Sequence, residues 1–295
     1  MRFGVRREPG IRNNVEDGWA EVGGLRIHYL ASGEGNDAPV LLLHGGGYDS
    51  ASLSYASSIG SISQYYRTFA PDWPGYGKSD KPKTEYSTEY YVGFLGRFMD
   101  VLGLERASLV GISLGGAISL GFALQSPGRV HRLVLVDSHG LGGEVPWRTV
   151  SWALVRLPLL NKALWTILGR SRRMVGWSLR AVFYDPGNVT VGLVDEVLRM
   201  MKESRASRAW RSWQRNEIRW DGLRTNFVAR LHEVAVPTLI LHGAEDRFVP
   251  VSWARRAHRL IKGSELQVLP RCGHWLPREK PDEFERVVSS FLSKR

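Results

Sequence analysis

Gly111-Ile112-Ser113-Leu114-Gly115 sets a serine between glycines, after the apolar run Ala107 to Ile112 and before the small-residue stretch Leu114 to Gln125. A serine hydroxyl attacks a carbonyl carbon well only when a base takes its proton and an acid orients that base. A G-x-S-x-G serine on a sharp strand-to-helix turn exposes its hydroxyl, and the helix N-terminus behind it favours developing negative charge. Downstream, His242-Gly243-Ala244-Glu245-Asp246 follows one strand-like run and Cys272-Gly273-His274-Trp275 follows the last. Chain order then makes Ser113 the nucleophile, Asp246 the acid and His274 the base. Glu245 and Asp137 are the competing acids. In His44-Gly45-Gly46-Gly47 the glycines let backbone N–H groups face a cavity unobstructed. The N–H groups of Gly46 and Leu114 are the expected oxyanion donors. His44 is expected to bond neighbouring loops. Gly45, Ile112, His139 and Trp275 are expected to line the substrate pocket. Cys272 reads as a buried bystander thiol.

These residues can act together only if one fold gathers them, and the hydrophobic pattern describes such a fold. Leu25 to Leu30 alternates as a strand does, while Val40 to Leu43 is a short continuous apolar run bounded by glycines, the mark of a strand buried on both faces. Arg67 to Pro71 is a weaker strand, Tyr86 to Leu102 has helical spacing, and Arg132 to Val136 is another strand. Roughly 80 residues of mostly helical pattern follow, with no convincing strand. Strand and helix then alternate again through Thr238–Leu241, Val251–Ile261, Leu266–Leu269 and Pro281–Leu292. The pattern predicts an α/β protein with a mostly parallel twisted sheet flanked by helices. Residues 1–140 and 231–295 form the expected core domain, and 141–230 an inserted helical cap. Both downstream loops fall at carboxyl ends of strands, where open α/β sheets place their sites.

Composition narrows the class. The chain has 295 residues, 43% of them hydrophobic, which suits a large globular core. Its single cysteine excludes an intrachain disulfide. No apolar run reaches the length of a membrane span, and the basic N-terminal stretch is followed by no apolar segment, so a cytoplasmic location is expected. No His/Cys cluster has metal-ligand spacing and no G-x-G-x-x-G follows a strand, so neither metal nor organic cofactor is expected. The net charge is +11, but residues 141–230 carry sixteen Lys and Arg against seven Asp and Glu, together with seven of the eleven tryptophans. One segment is basic, and without a nucleic-acid motif beside it no nucleic-acid partner is expected. Arg205, Arg208, Arg211, Arg215 and Arg219 fall on one helical face, with Trp210, Trp213 and Trp220 opposite. The simple reading packs the tryptophans inward and leaves the arginines in water. Attraction of an anionic substrate and weak contact with an anionic membrane surface are the alternatives.

The motifs together resemble the α/β-hydrolase fold superfamily along nearly the whole chain. They are HGGG at 44–47, Asp72-x-x-Gly75-x-Gly77-x-Ser79, GISLGG at 111–116, GAED at 243–246 and CGHW at 272–275. Serine in the elbow separates the chain from the branches that use aspartate there. Within the serine branch it is similar to the meta-cleavage product hydrolases, which cut C–C bonds in ring-fission products. That likeness lies in HGGG, Gly140-Leu141-Gly142, Phe183-Tyr184-Asp185-Pro186, Asp246-Arg247-Phe248-Val249-Pro250 and the CGHW loop. Three positions depart from that family's pattern. Ile112 stands where it tends to have Asn, Tyr48-Asp49 where it has Pro-Gly, and Val197 where a cap arginine binds the substrate carboxylate. Arg199 is the candidate replacement for that arginine.

The residues imply a serine hydrolase acting on a small molecule. A carboxylic ester with a hydrophobic part is the first expectation, given the tryptophan-rich cap. A C–C hydrolase for an anionic ring-fission product is the alternative, and a ligand-binding or membrane-surface module on the same fold is the alternative from another class. Oligomeric state stays open.

Overall fold

The computed structural model describes residues 15–144, 148–203 and 206–294. The chain begins with β1 (Glu16–Val22), β2 (Leu25–Ser32) and β3 (Pro39–Leu43), then the short helices α1 (Ala51–Tyr55) and α2 (Ile59–Ile62). β4 (Arg67–Pro71), α3 (Thr88–Val101), β5 (Ala107–Ile112), α4 (Leu114–Gln125) and β6 (Val130–Val136) complete the first half of the sheet. Five helices follow: α5 (Arg148–Arg156), α6 (Pro158–Leu168), α7 (Arg172–Val182), α8 (Val191–Glu203) and α9 (Ala206–Glu217). A small hairpin, β7 (Ile218–Arg219) and β8 (Gly222–Leu223), leads back to β9 (Thr238–Gly243), α10 (Val251–Leu260), β10 (Glu265–Leu269), α11 (Leu276–Glu279) and α12 (Pro281–Leu292).

The eight-stranded sheet has the order β1-β2-β4-β3-β5-β6-β9-β10. From β4 to β10 every pairing is parallel, and only β1 and β2 run against their neighbours. The apolar runs are short because they need only cross this sheet, and continuous because both faces are covered. Leu41 and Leu43 of β3 enter one core, while Val40 and Leu42 enter the other. β6 divides likewise, with Leu133 and Leu135 on one side and Val134 and Val136 on the other. This period of two gives the sheet two separate cores. β3, β5, β6 and β9 are adjacent in it, so the loops at their carboxyl ends converge on one edge.

Two features differ from the sequence expectation. β1 was not foreseen, because its pattern is mostly exposed and polar. It pairs with β2 through a two-residue turn in which Gly23 and Gly24 both have positive φ, as a twist-matched hairpin requires. The hairpin of β7 and β8 interrupts the helical interval, where no strand was expected. Helix α9 ends at Glu217, so Trp220 does not share its tryptophan face. Trp220 instead lies half exposed against Trp152, ring centroids 5.4 Å apart. Trp210 and Trp213 do share that face and stack at 4.8 Å. Of the arginine face, Arg215 is exposed and Arg208 and Arg211 are half-buried on α9, while Arg219 is exposed on β7. Arg205 lies outside the described residues.

Close approach of β5, α4 and β3 leaves no room for side chains at the turn between them. A Cβ on Gly115 would overlap the carbonyl oxygen of Leu43, and one on Gly111 the carbonyl oxygen of Gly115. Gly115→Ala is therefore expected to destabilise the fold by about 1–3 kcal/mol, read as a lower urea midpoint at unchanged slope. Wild-type stability in that variant would contradict the packing described.

Candidate active site

Ser113 sits between β5 and α4 at φ 52°, ψ −114°, a conformation L-residues rarely adopt. The surroundings hold it there: its N–H donates to Val136 O at 3.0 Å, and its own carbonyl accepts from His139 N–H at 3.1 Å. The side chain is thereby turned out of the sheet edge. His274 Nε2 lies 3.0 Å from Ser113 Oγ, and His274 Nδ1 lies 2.7 Å from Asp246 Oδ2. The other Asp246 oxygen accepts the N–H groups of Phe248 and Val249, at 2.8 and 3.0 Å. Every oxygen of that buried carboxylate thus has a donor. Burial alone drives its pKa up, but the charge and hydrogen bond of His274 outweigh this and hold it below 3.8. The same pairing works in reverse on His274. Burial lowers its pKa, and the Asp246 carboxylate overrides that to raise it above 6.5.

The competing residues are occupied elsewhere. Glu245 accepts from Cys272 N–H. Asp137 is fully buried and accepts from Gly243 N–H at 2.8 Å. Burial and then the neighbouring Asp246 charge push Asp137 well above the usual carboxylate range. His242 donates Nε2–H to Val249 O at 3.0 Å, and burial lowers its pKa. Asp137, His242 and Asp246 are close enough to share a cation, but Asp246 already holds His274 and two N–H groups, so the cluster reads as packed support under the site. Burial pushes the Cys272 thiol far up and keeps it from acting as a thiolate. His44 is buried in the loop after β3, Nδ1 2.8 Å from Gly45 O and Nε2 accepting from Trp73 N–H at 3.1 Å, a loop-bonding position.

Ser113 and His274 open into a cavity of about 540 Å³. Gly45, Gly46, Ile112, Leu114, His139 and Trp275 all line it. Among the described residues neither the Gly46 N–H nor the Leu114 N–H donates to a protein acceptor, which leaves both free for an oxyanion beside Ser113. A Cβ on Gly46 would overlap the Trp210 ring, so α9 closes directly over this loop. Trp275 donates its indole N–H to Ser54 Oγ at 2.8 Å, and Ser54 in turn bonds the buried Asp49 carboxylate, which also accepts from Gly45 N–H. This chain fixes the glycine loop against the His274 loop.

Arg199 is a correction. It is exposed on α8 and does not line the cavity, whereas Val197 two residues earlier is buried in the core. The helix turns Arg199 outward because α8 packs its Leu193, Val194 and Val197 face inward. The one Lys or Arg among the described lining residues is Arg247, exposed on the loop after β9.

One buried polar pair escaped the sequence reading. Glu217, at the end of α9, lies 2.9 Å from His139 Nε2 and accepts from Thr225 N–H at 2.8 Å. Burial pushes Glu217 up, but the His139 and Thr225 hydrogen bonds more than offset it and hold the carboxyl below 4.5. The pair ties the β6 loop to the helical interval across the cavity wall. No local spacing signals it, because its members lie far apart in sequence.

Residues 38–281 match the model of the alpha/beta hydrolase fold family. The chain is 31% identical over 276 residues to a 2-hydroxy-6-oxo-2,4-heptadienoate hydrolase of Pseudomonas putida, covering 92% of this chain and 94% of that one. It is 32% identical over 275 residues to a 2-hydroxy-6-oxo-6-phenylhexa-2,4-dienoate hydrolase of Comamonas testosteroni, covering 91% and 92%. A solved meta-cleavage product hydrolase from Pseudomonas fluorescens superposes with a TM-score of 0.79 at 28% identity, covering 94% of this chain and 97% of that one.

Removing Glu217 would strand His139 and Thr225 N–H in a buried site. Glu217→Ala is expected to cost about 1–3 kcal/mol of stability at neutral pH. Because the folded carboxyl titrates below its ordinary 4.5, the part of that cost carried by the ionised carboxylate is complete above 4.5 and fades as pH falls through the lower folded value. The gap between the two proteins in urea titrations should therefore narrow in acid; a pH-independent gap would contradict the assignment.

Proposed function

This chain belongs to the alpha/beta hydrolase fold family and is a hydrolase; from that premise we propose that Ser113, His274 and Asp246 form its catalytic triad, acting on a neutral carboxylic ester with a hydrophobic part. The observation that supports the triad is the continuous hydrogen-bonded line from Ser113 Oγ through His274 to Asp246 at the mouth of the cavity. In this reading His274 Nε2 takes the Ser113 proton as Oγ attacks the ester carbonyl. The carbonyl oxygen becomes an oxyanion held by the Gly46 and Leu114 N–H groups. His274 then gives its proton to the departing alkoxide, and an acyl-serine forms as the alcohol leaves. Water, deprotonated by His274, attacks that acyl group and releases the acid and free Ser113. Asp246 holds the His274 tautomer and stabilises its charged form.

The neutral ester is supported by the cavity wall. Ile112, Leu114, Trp165, Trp210, Trp213 and Trp253 line it, and the helical interval sends no described Lys or Arg into it. The residues of 141–230 are read as a cap over this site, and those of 1–140 and 231–295 as its core. A second reading, cleavage of a C–C bond in a ring-fission product, is favoured by the relatives' names. It asks for a cation near the substrate carboxylate, and Arg247 at the rim is the available one.

Wild type and Ser113→Ala are to be compared on a nitrophenyl ester and on a ring-fission dienoate. Ester turnover is expected to exceed dienoate cleavage by about tenfold or more in kcat/KM, and to fall at least about 10⁴-fold in Ser113→Ala. Dienoate cleavage as efficient as ester turnover would move the assignment to the second reading, and turnover surviving in Ser113→Ala would remove the triad.

The pH dependence has a definite sign. Only neutral His274 can accept the serine proton, so kcat/KM rises with pH through its raised pKa, and the acid limb should lie above 6.5. Asp246→Asn removes the raising charge, so the limb should move down while the rate falls on the order of 10⁴-fold. An acid limb below 6.5 in wild type would contradict this pairing.

A further inference from the structure

Helix α6 has its apolar side in water. Leu160, Leu164 and Ile167 recur at spacings of four and three, so they share one helical stripe, and each is at least 40% exposed. Leu159 beside them is 81% exposed. Exposed leucines at helical spacing mark a surface that another apolar phase covers. The neighbouring helix α7, packed against α6, carries Arg173, Trp177 and Arg180 at spacings of four and three, all exposed, with Trp177 at 72%. Val175 and Leu179 of the same helix point into the core.

The border of this surface is basic. Lys162, Arg170, Arg173 and Arg180 are exposed and have no acidic partner among the described residues, whereas Arg172 pairs with Asp195. An apolar stripe edged by cations, with an exposed tryptophan between two arginines, is the composition of a helix pair that lies in a headgroup layer. No described helix is long and apolar enough to cross a membrane, so the contact would be with the surface. A second copy of the chain fits less well. A two-fold contact through this face would set the same cations of both copies near one another.

We propose that α6 and α7 dock this protein on an anionic lipid surface. The location gives the contact a consequence. Trp165, from the opposite side of α6, lines the cavity and meets Tyr48 of the glycine loop at 6.3 Å between ring centroids. The helix that lies on the lipid is thus the one that walls the catalytic cavity, which suits an ester drawn from the lipid phase. The docking goes beyond the catalytic assignment and does not depend on it.

The test is flotation of the full-length protein with phosphatidylcholine vesicles, with and without phosphatidylglycerol. Wild type and Ser113→Ala are expected to partition equally onto the anionic vesicles, at least about tenfold more than onto the neutral ones, with loss in high salt. Leu160→Asp with Leu164→Asp, and separately Arg173→Glu with Arg180→Glu, should each reduce partition by about tenfold or more. Turnover of a short water-soluble ester should stay within about twofold in both variants, because none of the four residues lines the cavity. Equal partition of wild type and both variants would overturn the proposal, as would absence of anionic-vesicle binding. A dimer that the leucine variant alone dissociates, with no vesicle binding, would assign the face to a second copy instead. Loss of ester turnover in Ser113→Ala with flotation intact would separate the two assignments.

Discussion

The backbone of Ser113 is the constraint around which the site is arranged. A serine at φ 52°, ψ −114° is strained, and such strain, of order 1–3 kcal/mol, persists only where the surroundings over-determine it. Here they do so through bonds to two other elements. Val136 of β6 accepts the Ser113 N–H, and His139 beyond β6 donates to its carbonyl. Gly111 and Gly115 let β5, α4 and β3 approach to backbone contact around it. The parallel order β3-β5-β6-β9 follows as a requirement, since each of these strands ends in a loop that supplies part of the site. The strand that carries the serine is flanked by the glycine loop on one side and by the acid-bearing strands on the other.

Electrostatics complete what the backbone begins. Asp137 and Asp246 lie close together, buried beside two histidines, and like charges there raise each other's cost. The structure resolves this by unequal partners. Asp246 has His274 and two backbone N–H groups, which hold its pKa down; Asp137 has one oxygen without a partner, and burial and the Asp246 charge push its pKa up. The carboxylate held low is the one that faces His274. At the cavity wall the same logic keeps Glu217 ionised beside His139.

Most of this was legible where chemistry and local pattern coincide. The glycines around Ser113, the apolar runs before each loop and the order Ser113, Asp246, His274 carry their meaning within a few residues of sequence, and the parallel sheet follows from their alternation. What was hidden depends on contacts between distant residues or on exposed elements. β1 has no apolar alternation because it forms an edge. Trp220 continues a helical spacing, yet the chain turns at Glu217, where its carboxylate is captured by His139 and Thr225. Arg199 has the right charge and a plausible position, but α8 is rotated by the burial of Leu193, Val194 and Val197. The exposed stripe of α6 was not foreseen, because periodicity gives a face and says nothing of which side meets the core.

In the proposed cycle Ser113 carries the acyl group between the two halves of the reaction. The most direct measurement is mass spectrometry of the intact protein, acid-quenched during turnover of an activated short-chain ester, followed by peptide mapping. A mass gain equal to the acyl group is expected, located on Ser113 and absent from Ser113→Ala. An acyl group on Cys272 or another residue, or undiminished ester turnover by Ser113→Ala, would contradict it.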